Sequence, residues 1–187
     1  MENRKLKEFV SFIPGINQSR AEKQFGEQEI IYYDQSSFEI DYNQIELESE
    51  GNDLSDLSLS KGDIVISNSL QKAVVVGNSN VGKVLSLNFT KVHFEDKSLD
   101  KHYFLYLFNE YKGIQRQKER ELQGIGPVLR LTRQSLEQFI FPFVPYEEQK
   151  KLGKIYMESL KIQGQMNRYA SLMKYFIDSI LEESLRE

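Results

Sequence analysis

From residue 147 to residue 187 the apolar positions follow one rule. Leu152, Ile155, Ile162, Met166, Tyr169, Met173, Phe176 and Ile180 recur at alternating steps of three and four, with Ser159 and Glu183 as two polar interruptions. That period is a heptad seam on a helix. The stretch has no proline and only two glycines, Gly153 and Gly164. It therefore predicts one unbroken helix of about 40 residues, a rod roughly 60 Å long at ~1.5 Å per residue. Pro145 opens it, and Glu147 and Glu148 fall in its first turn, where carboxylates suit the helix dipole. A rod with an apolar stripe needs a partner helix. No other stretch of the chain predicts a helix long enough to serve.

Upstream the periods are shorter. Residues 4–12 read as a short strand or a first helical turn, stopped by Pro14 and Gly15, and a polar loop follows. Residues 29–33 are a short β-type run. Residues 34–56 scatter Phe38, Ile40, Tyr42, Ile45 and Leu47 among acids and read as strand alternating with exposed loop. From Ser60 the pattern sharpens: a turn at Lys61, Gly62 and Asp63, a buried-type strand over 64–67, and further strands over 73–76 and 84–92. Short Gly/Asn/Ser turns between them predict a sheet or small barrel, partly antiparallel. The period then changes. Residues 99–111 predict a helix whose apolar face is Tyr103, Phe104, Leu107, Phe108 and Tyr111, and 112–120 are polar and basic. A break at Gly124, Gly126 and Pro127 precedes a short strand over 129–131. Thr132 caps a helical turn through Glu137, and an apolar strand over 139–144 ends at Pro145. The fold class is α+β: a mostly-β domain with one or two short helices over 1–144, then a coiled-coil-like helix over 145–187.

Composition narrows the class. Zero cysteines exclude disulfides and thiolate metal sites, and two histidines, His93 and His102, make an imidazole-rich metal site a poor fit. No apolar run reaches the ~20 residues of a membrane span. The opening residues lack the apolar core of a signal peptide, so a cytoplasmic protein with no membrane partner is expected. The net charge of −4 conceals an asymmetry: residues 27–60 hold ten carboxylates and no Lys or Arg, leaving the remainder at +6. Phosphate recognition depends on where basic groups cluster, so a nucleic-acid partner stays open.

The sharpest chemical motif is Gly77 through Lys83, which fits seven positions of the phosphate-binding GxxxxGK[ST] loop. Its eighth position is Val84, which has no hydroxyl for Mg²⁺, and the following run is β-like where a helix N-terminus is needed. A polar turn is the better reading, and a nucleotide site ranks third among the functions. No catalytic constellation and no cofactor are predicted. Basic and amide side chains are better placed, because Arg, Lys, Asn and Gln bond phosphates and base edges. Asn68, Gln71, Lys72, Asn78 and Lys83 fall in turns between strands, and Arg116, Lys118, Arg120 and Arg130 follow the aromatic helix. These nine are the candidate DNA contacts.

Three stretches then carry a family resemblance. Residues 61–67 resemble the K-G-D-I-L-I-S strand of specificity subunits of type I restriction-modification systems. Residues 122–142 resemble that family's passage of glycine, leucine, short helix and I-P-L-P. Pro145, Glu148, Gln149 and Leu152 resemble its P-x-x-E-Q-x-x-I entry to a long helix. A glycine usual near Gln71 is missing. The typical subunit is about twice this length, with two recognition domains spaced by two antiparallel helices. The resemblance therefore implies a half subunit: a target-recognition domain for double-stranded DNA with a helix whose seam joins a second copy. It further implies a palindromic bipartite target, a methyltransferase partner with or without a restriction subunit, and no catalysis of its own. The alternative is an interaction or decoy module of the same fold without DNA binding.

Overall fold

The run Ile64-Val65-Ile66 is apolar at every step because both faces of its strand are covered. Ile64 and Ile66 enter a core with Leu6, Phe12, Val92, Phe104 and Phe108. Val65, pointing the other way, enters a second core with Tyr33, Phe38, Val74, Leu85 and Phe89. A strand between two cores cannot show the alternation of a half-exposed one.

The computed structural model describes residues 2–25, 30–43, 58–95, 97–122 and 130–185. In chain order these form β1 (Glu2–Lys5), a 3-10 turn (Leu6–Glu8), β2 (Val10–Pro14), α1 (Gln18–Phe25), β3 (Tyr32–Tyr33) and α2 (Gln35–Asn43). Then come β4 (Ile64–Ser67), β5 (Lys72–Val75), a 3-10 turn (Asn78–Asn80), β6 (Val84–Leu85) and β7 (Phe89–Phe94). The last elements are α3 (Lys101–Asn109), α4 (Lys112–Glu121), α5 (Arg133–Gln138), β8 (Ile140–Phe143) and α6 (Tyr146–Ser184). The central sheet runs β2-β7-β4-β5, antiparallel throughout, with Ile64 opposite both Val75 and Val92. β1 pairs antiparallel with β8, and β3 pairs parallel with β6.

The α+β class and the long terminal helix are as expected. The differences lie in short elements. Five helices precede the rod among the described residues, against the one or two predicted. Residues 35–43 are helical where strand and loop were expected, and the reason is chemical. The face that α2 buries is Ser37, Phe38 and Asp41, whereas Ile40 and Tyr42 are exposed. A helix that buries polar groups and shows apolar ones carries no readable stripe. α1 replaces a predicted polar loop. α4 replaces a basic stretch because its buried positions are Ile114 and Lys118, one of them a lysine. The single strand expected over 84–92 is two, because the chain turns at Ser86–Asn88, where the Phe89 amide donates to the Ser86 carbonyl at 3.0 Å. Thr132 caps α5 as expected, accepting from the Ser135 amide at 3.2 Å. Ile45, Leu47, the break at Gly124, Gly126 and Pro127, and Leu129 lie outside the described residues.

Among the described residues no helix is long and apolar enough to cross a membrane.

Candidate nucleic-acid interface

The β4–β5 hairpin separates the nine candidate contacts into two groups. Asn68, Gln71 and Lys72 lie at its turn, whereas Asn78 and Lys83 follow the far end of β5, about 13 Å away along a four-residue strand. α4 stands beside the turn and presents Arg116 and Arg120 to solvent. Arg130, also exposed, adjoins Leu131, whose amide donates to the Asn68 carbonyl at 3.1 Å. Lys72, Arg130 and the amides of Asn68 and Gln71 thus meet at one end of the sheet, whereas Arg116 and Arg120 lie roughly 160° around α4 from its side that packs on the turn.

The turn is tightly built. Gln71 adopts a left-handed backbone, φ 57°, at the position where the resembling family has glycine nearby. Its amide donates to the Ser67 carbonyl at 2.8 Å, and Asn68 Oδ1 accepts from Thr90 Oγ1 at 3.0 Å. Lys72 Nζ donates to the Asn109 carbonyl at 3.0 Å and to Glu110 Oε1 at 3.2 Å, both at the C-terminus of α3. The Asn109 side chain meets the margin of β5 like another strand: its Oδ1 accepts from Ala73 N and its Nδ2 donates to Ala73 O, each at 2.8 Å.

Lys118 requires a correction. It was expected on the DNA-facing surface and is 1 % exposed. Its Nζ donates to the Gln71 carbonyl at 2.7 Å and to the Phe108 carbonyl, and it stands 3.7 Å from the Phe108 ring centroid. Burial, and then the neighbouring Lys72 charge, push its ammonium down to about 7, against an opposing pull from Glu110. It touches no solvent-facing phosphate position and leaves the set of direct contacts. The preceding residue, Gln117, fixes α4 to β8, donating to the Ile140 carbonyl at 2.8 Å and accepting from the Ile140 amide at 2.7 Å.

The loop from Gly77 to Lys83 is no phosphate cradle. The Gly77 amide donates to Asp41 Oδ1 at 3.0 Å, so a carboxylate stands where an anion-binding loop would receive phosphate. Asn80 is buried and donates to the Ser37 carbonyl at 3.0 Å. Lys83 turns inward to Ser37 Oγ at 2.9 Å, and Asn78 is exposed. Burial holds the Asp41 carboxyl above its ordinary range although it accepts from Gly77 and from the Tyr33 hydroxyl. The nucleotide reading is overturned by this packing. Among the described residues no group of His, Cys, Asp and Glu side chains gathers to hold a metal.

The rod is anchored by one joint. Gln149 is fully buried: Nε2 donates to the Ser98 carbonyl at 3.0 Å and the Val144 carbonyl at 2.8 Å, and Oε1 accepts from the Asp100 amide at 2.9 Å. Asp100 in turn caps α3 by accepting from His102 N at 3.0 Å and Tyr103 N at 2.9 Å. Gly153, one turn on, lets α6 close against that cap, since a Cβ there would lie 2.7 Å from Asp100 Oδ1 and 2.8 Å from Tyr103 N. Tyr156 and Met157 complete the packed side, with Leu160 against it. The glutamine and glycine carry the joint, and hydropathy alone gives neither any weight.

Gly164 still passes the end of α2, where a Cβ would stand 3.6 Å from the Asn43 carbonyl oxygen, and beyond it α6 is exposed on every side. The seam residues Leu152, Ile155, Ile162, Met166, Tyr169, Met173, Phe176 and Ile180 are 36–71 % exposed. At ~100° per residue the seam lies roughly 150° around the helix from the packed side. Leu172, Tyr175, Ile177 and Leu181 add exposed apolar surface beside it, which the seam pattern did not include.

No protein-family model matches the sequence, and no curated protein does. Solved structures do match. The chain is similar to an S subunit of the type I restriction-modification system from M. genitalium, with a TM-score of 0.53, 14 % identity, and coverage of 93 % of this chain and 42 % of that one. It is similar to a chain from a structure of complex assembly and conformational transition in the type I R-M system, with a TM-score of 0.60, 16 % identity, and coverage of 92 % and 41 %. The HsdS subunit from Thermoanaerobacter tengcongensis matches at a TM-score of 0.48 and 18 % identity, over 90 % of this chain and 39 % of that one. The chain thus spans about two fifths of the length of the structures it matches. The β-rich part and the projecting helix share their fold with about two fifths of these type I restriction-modification chains.

Proposed function

We propose that this chain recognises specific DNA sequences as a half specificity subunit, paired with a second copy through α6, and that it catalyses nothing itself. The observation that carries the reading is the exposed seam of α6, turned away from its own domain. A stripe of this length in water calls for a cover.

The seam is complementary to itself in one antiparallel register. Setting Tyr169 against Met173 of the second copy sets Met166 against Phe176, Ile162 against Ile180, and Ser159 against Glu183. From Ile162 to Ile180 every apolar layer meets an apolar layer, the two polar interruptions meet each other, and Leu152 and Ile155 fall outside these layers. A parallel pair would face Glu183 with Glu183. The antiparallel register puts the twofold near residue 171 and the two Gly153 joints about 54 Å apart along the rods. Two identical domains related by a twofold axis read a palindromic bipartite site. Arg116, Arg120 and Arg130 would meet phosphates, and Asn68 and Gln71 stand at the turn that enters a groove. A methyltransferase subunit is the proposed partner that acts on the bound DNA, with a restriction subunit as a further one.

The test is binding to a random-sequence duplex pool across a salt series. Steep weakening with added salt and enrichment of one palindromic bipartite sequence are expected. The net charge of −4 favours one rival, an interaction module without DNA binding. No binding to any duplex, with capture of a methyltransferase subunit retained, establishes that rival.

A further inference from the structure

A lysine enclosed in an apolar core is disfavoured by desolvation, and a methionine of similar length would fill the same space without that cost. Lys118 sits in such a place. What it supplies that methionine cannot is direction: its ammonium donates to the carbonyl of Gln71, in the β4–β5 turn, and to the carbonyl of Phe108, in the last turn of α3. A cation is at home there, because the final carbonyls of a helix carry its negative pole. Lys72 reaches the same helix end through the Asn109 carbonyl. Gln117 ties α4 to β8 on another side. The turn at 68–71, the end of α3 and α4 itself therefore converge on one buried nitrogen.

We infer that Lys118 is a positioning residue, locking the left-handed turn at Gln71 to α4 so that Asn68 and Gln71 are presented to DNA as one rigid surface. The inference rests on the DNA-recognition reading for its purpose, but the lock itself is a property of the protein alone. The charged groups that face Lys118 are Lys72 from β5 and Glu110 from the end of α3, one opposing and one favouring its charge. Burial holds the ammonium down to about 7 in the closed site, so by linkage the lock is tighter above neutral pH and looser below it.

The experiment has two arms. In protein without DNA, the amide resonances of Leu70 and Gln71, which donate to Ser67 Oγ and the Ser67 carbonyl, should titrate with a midpoint near 7. In Lys118→Met that titration should vanish, and both amides should exchange with solvent at least ~10-fold faster while thermal unfolding still shows a folded domain. Unchanged titration and exchange in the variant overturn the inference. In the second arm, against duplex selected from a random pool, the variant should bind ~10-fold more weakly with the same slope of log K on log salt. A slope lower by about one would make Lys118 a phosphate contact and would also overturn it. A wild-type protein that binds no duplex sinks the DNA reading, while the first arm still decides the lock.

Discussion

Gln149 and Asp100 are hydrogen-bonded across the base of the rod: the Gln149 side-chain oxygen accepts from the Asp100 amide at 2.9 Å, while the Asp100 carboxylate caps α3. One amide side chain thereby joins α6 to the helix it packs on. The same side chain satisfies two backbone carbonyls that have left regular structure. Gln149→Leu keeps the volume and removes all three bonds. Each buried group left alone costs ~1–3 kcal/mol, and a loss of about 3 kcal/mol is expected. Urea unfolding checks it; a midpoint within error of wild type would show that the joint is held by apolar packing alone.

Gly153→Ala tests the closeness of the same contact. The new methyl would meet Asp100 Oδ1 and Tyr103 N, both parts of the cap and neither the end of a long side chain. Overpacking of this kind costs ~1–3 kcal/mol. The variant should unfold earlier and lose protection at the His102 and Tyr103 amides first, as read by hydrogen exchange.

Met166→Glu or Met173→Glu places a carboxylate in the seam. If α6 pairs, light scattering should show a dimer reverting to monomer, with the far-ultraviolet helix signal falling as the unpaired tip frays. A dimer of undiminished strength would remove α6 from the assembly.

Orientation has its own test, made simple by the absence of native cysteines. The double variant Ser159→Cys, Glu183→Cys should oxidise to a covalent dimer, because the antiparallel register brings the two positions of different copies together. The two positions are ~36 Å apart on one rod, so the bridge cannot form within a chain. Cross-linking by Glu183→Cys alone, without the double variant's advantage, would establish the parallel pair.

Stability against pH reports the state of Lys118. Its folded-state pKa, about 7, lies below the ordinary lysine value of 10.5. Between those limits the unfolded chain holds one more proton than the folded one, so stability contributed by this group rises as pH rises through the window. The difference between wild type and Lys118→Met should therefore shift in favour of wild type from pH 7 toward pH 10, by up to ~1 kcal/mol per unit. A constant difference across that range would mean that the buried nitrogen keeps an ordinary affinity for protons.

Much of this architecture was legible beforehand, and the illegible part has a consistent cause. The rod, the buried strand at 64–67, the aromatic helix and the Thr132 cap all follow from hydrophobic period and capping chemistry, which act locally. What escaped were elements whose buried positions are polar. α2 turns Ser37 and Asp41 inward, and α4 turns Lys118 inward, so hydropathy read the first stretch as strand alternating with loop and the second only as polar and basic. The contact list failed at Lys118 for the same reason: charge marks a residue as surface until its partners, two backbone carbonyls, are placed around it. Asn109, Gln117 and Gln149 illustrate the other limit. Each fastens one element to another through its amide, and nothing in a single sequence tells such an amide from a solvated one.

The two bonds from Asn109 to Ala73 have a bearing on how this molecule behaves in crowded solution. β5 forms one border of the central sheet, and an open border is a template on which a stranger's strand can grow. Here a side chain from the neighbouring helix already occupies the donor and acceptor of Ala73. Replacing Asn109 with an aliphatic residue would reopen that template, so the first symptom of its loss would be clumping during expression rather than any change in what the protein recognises.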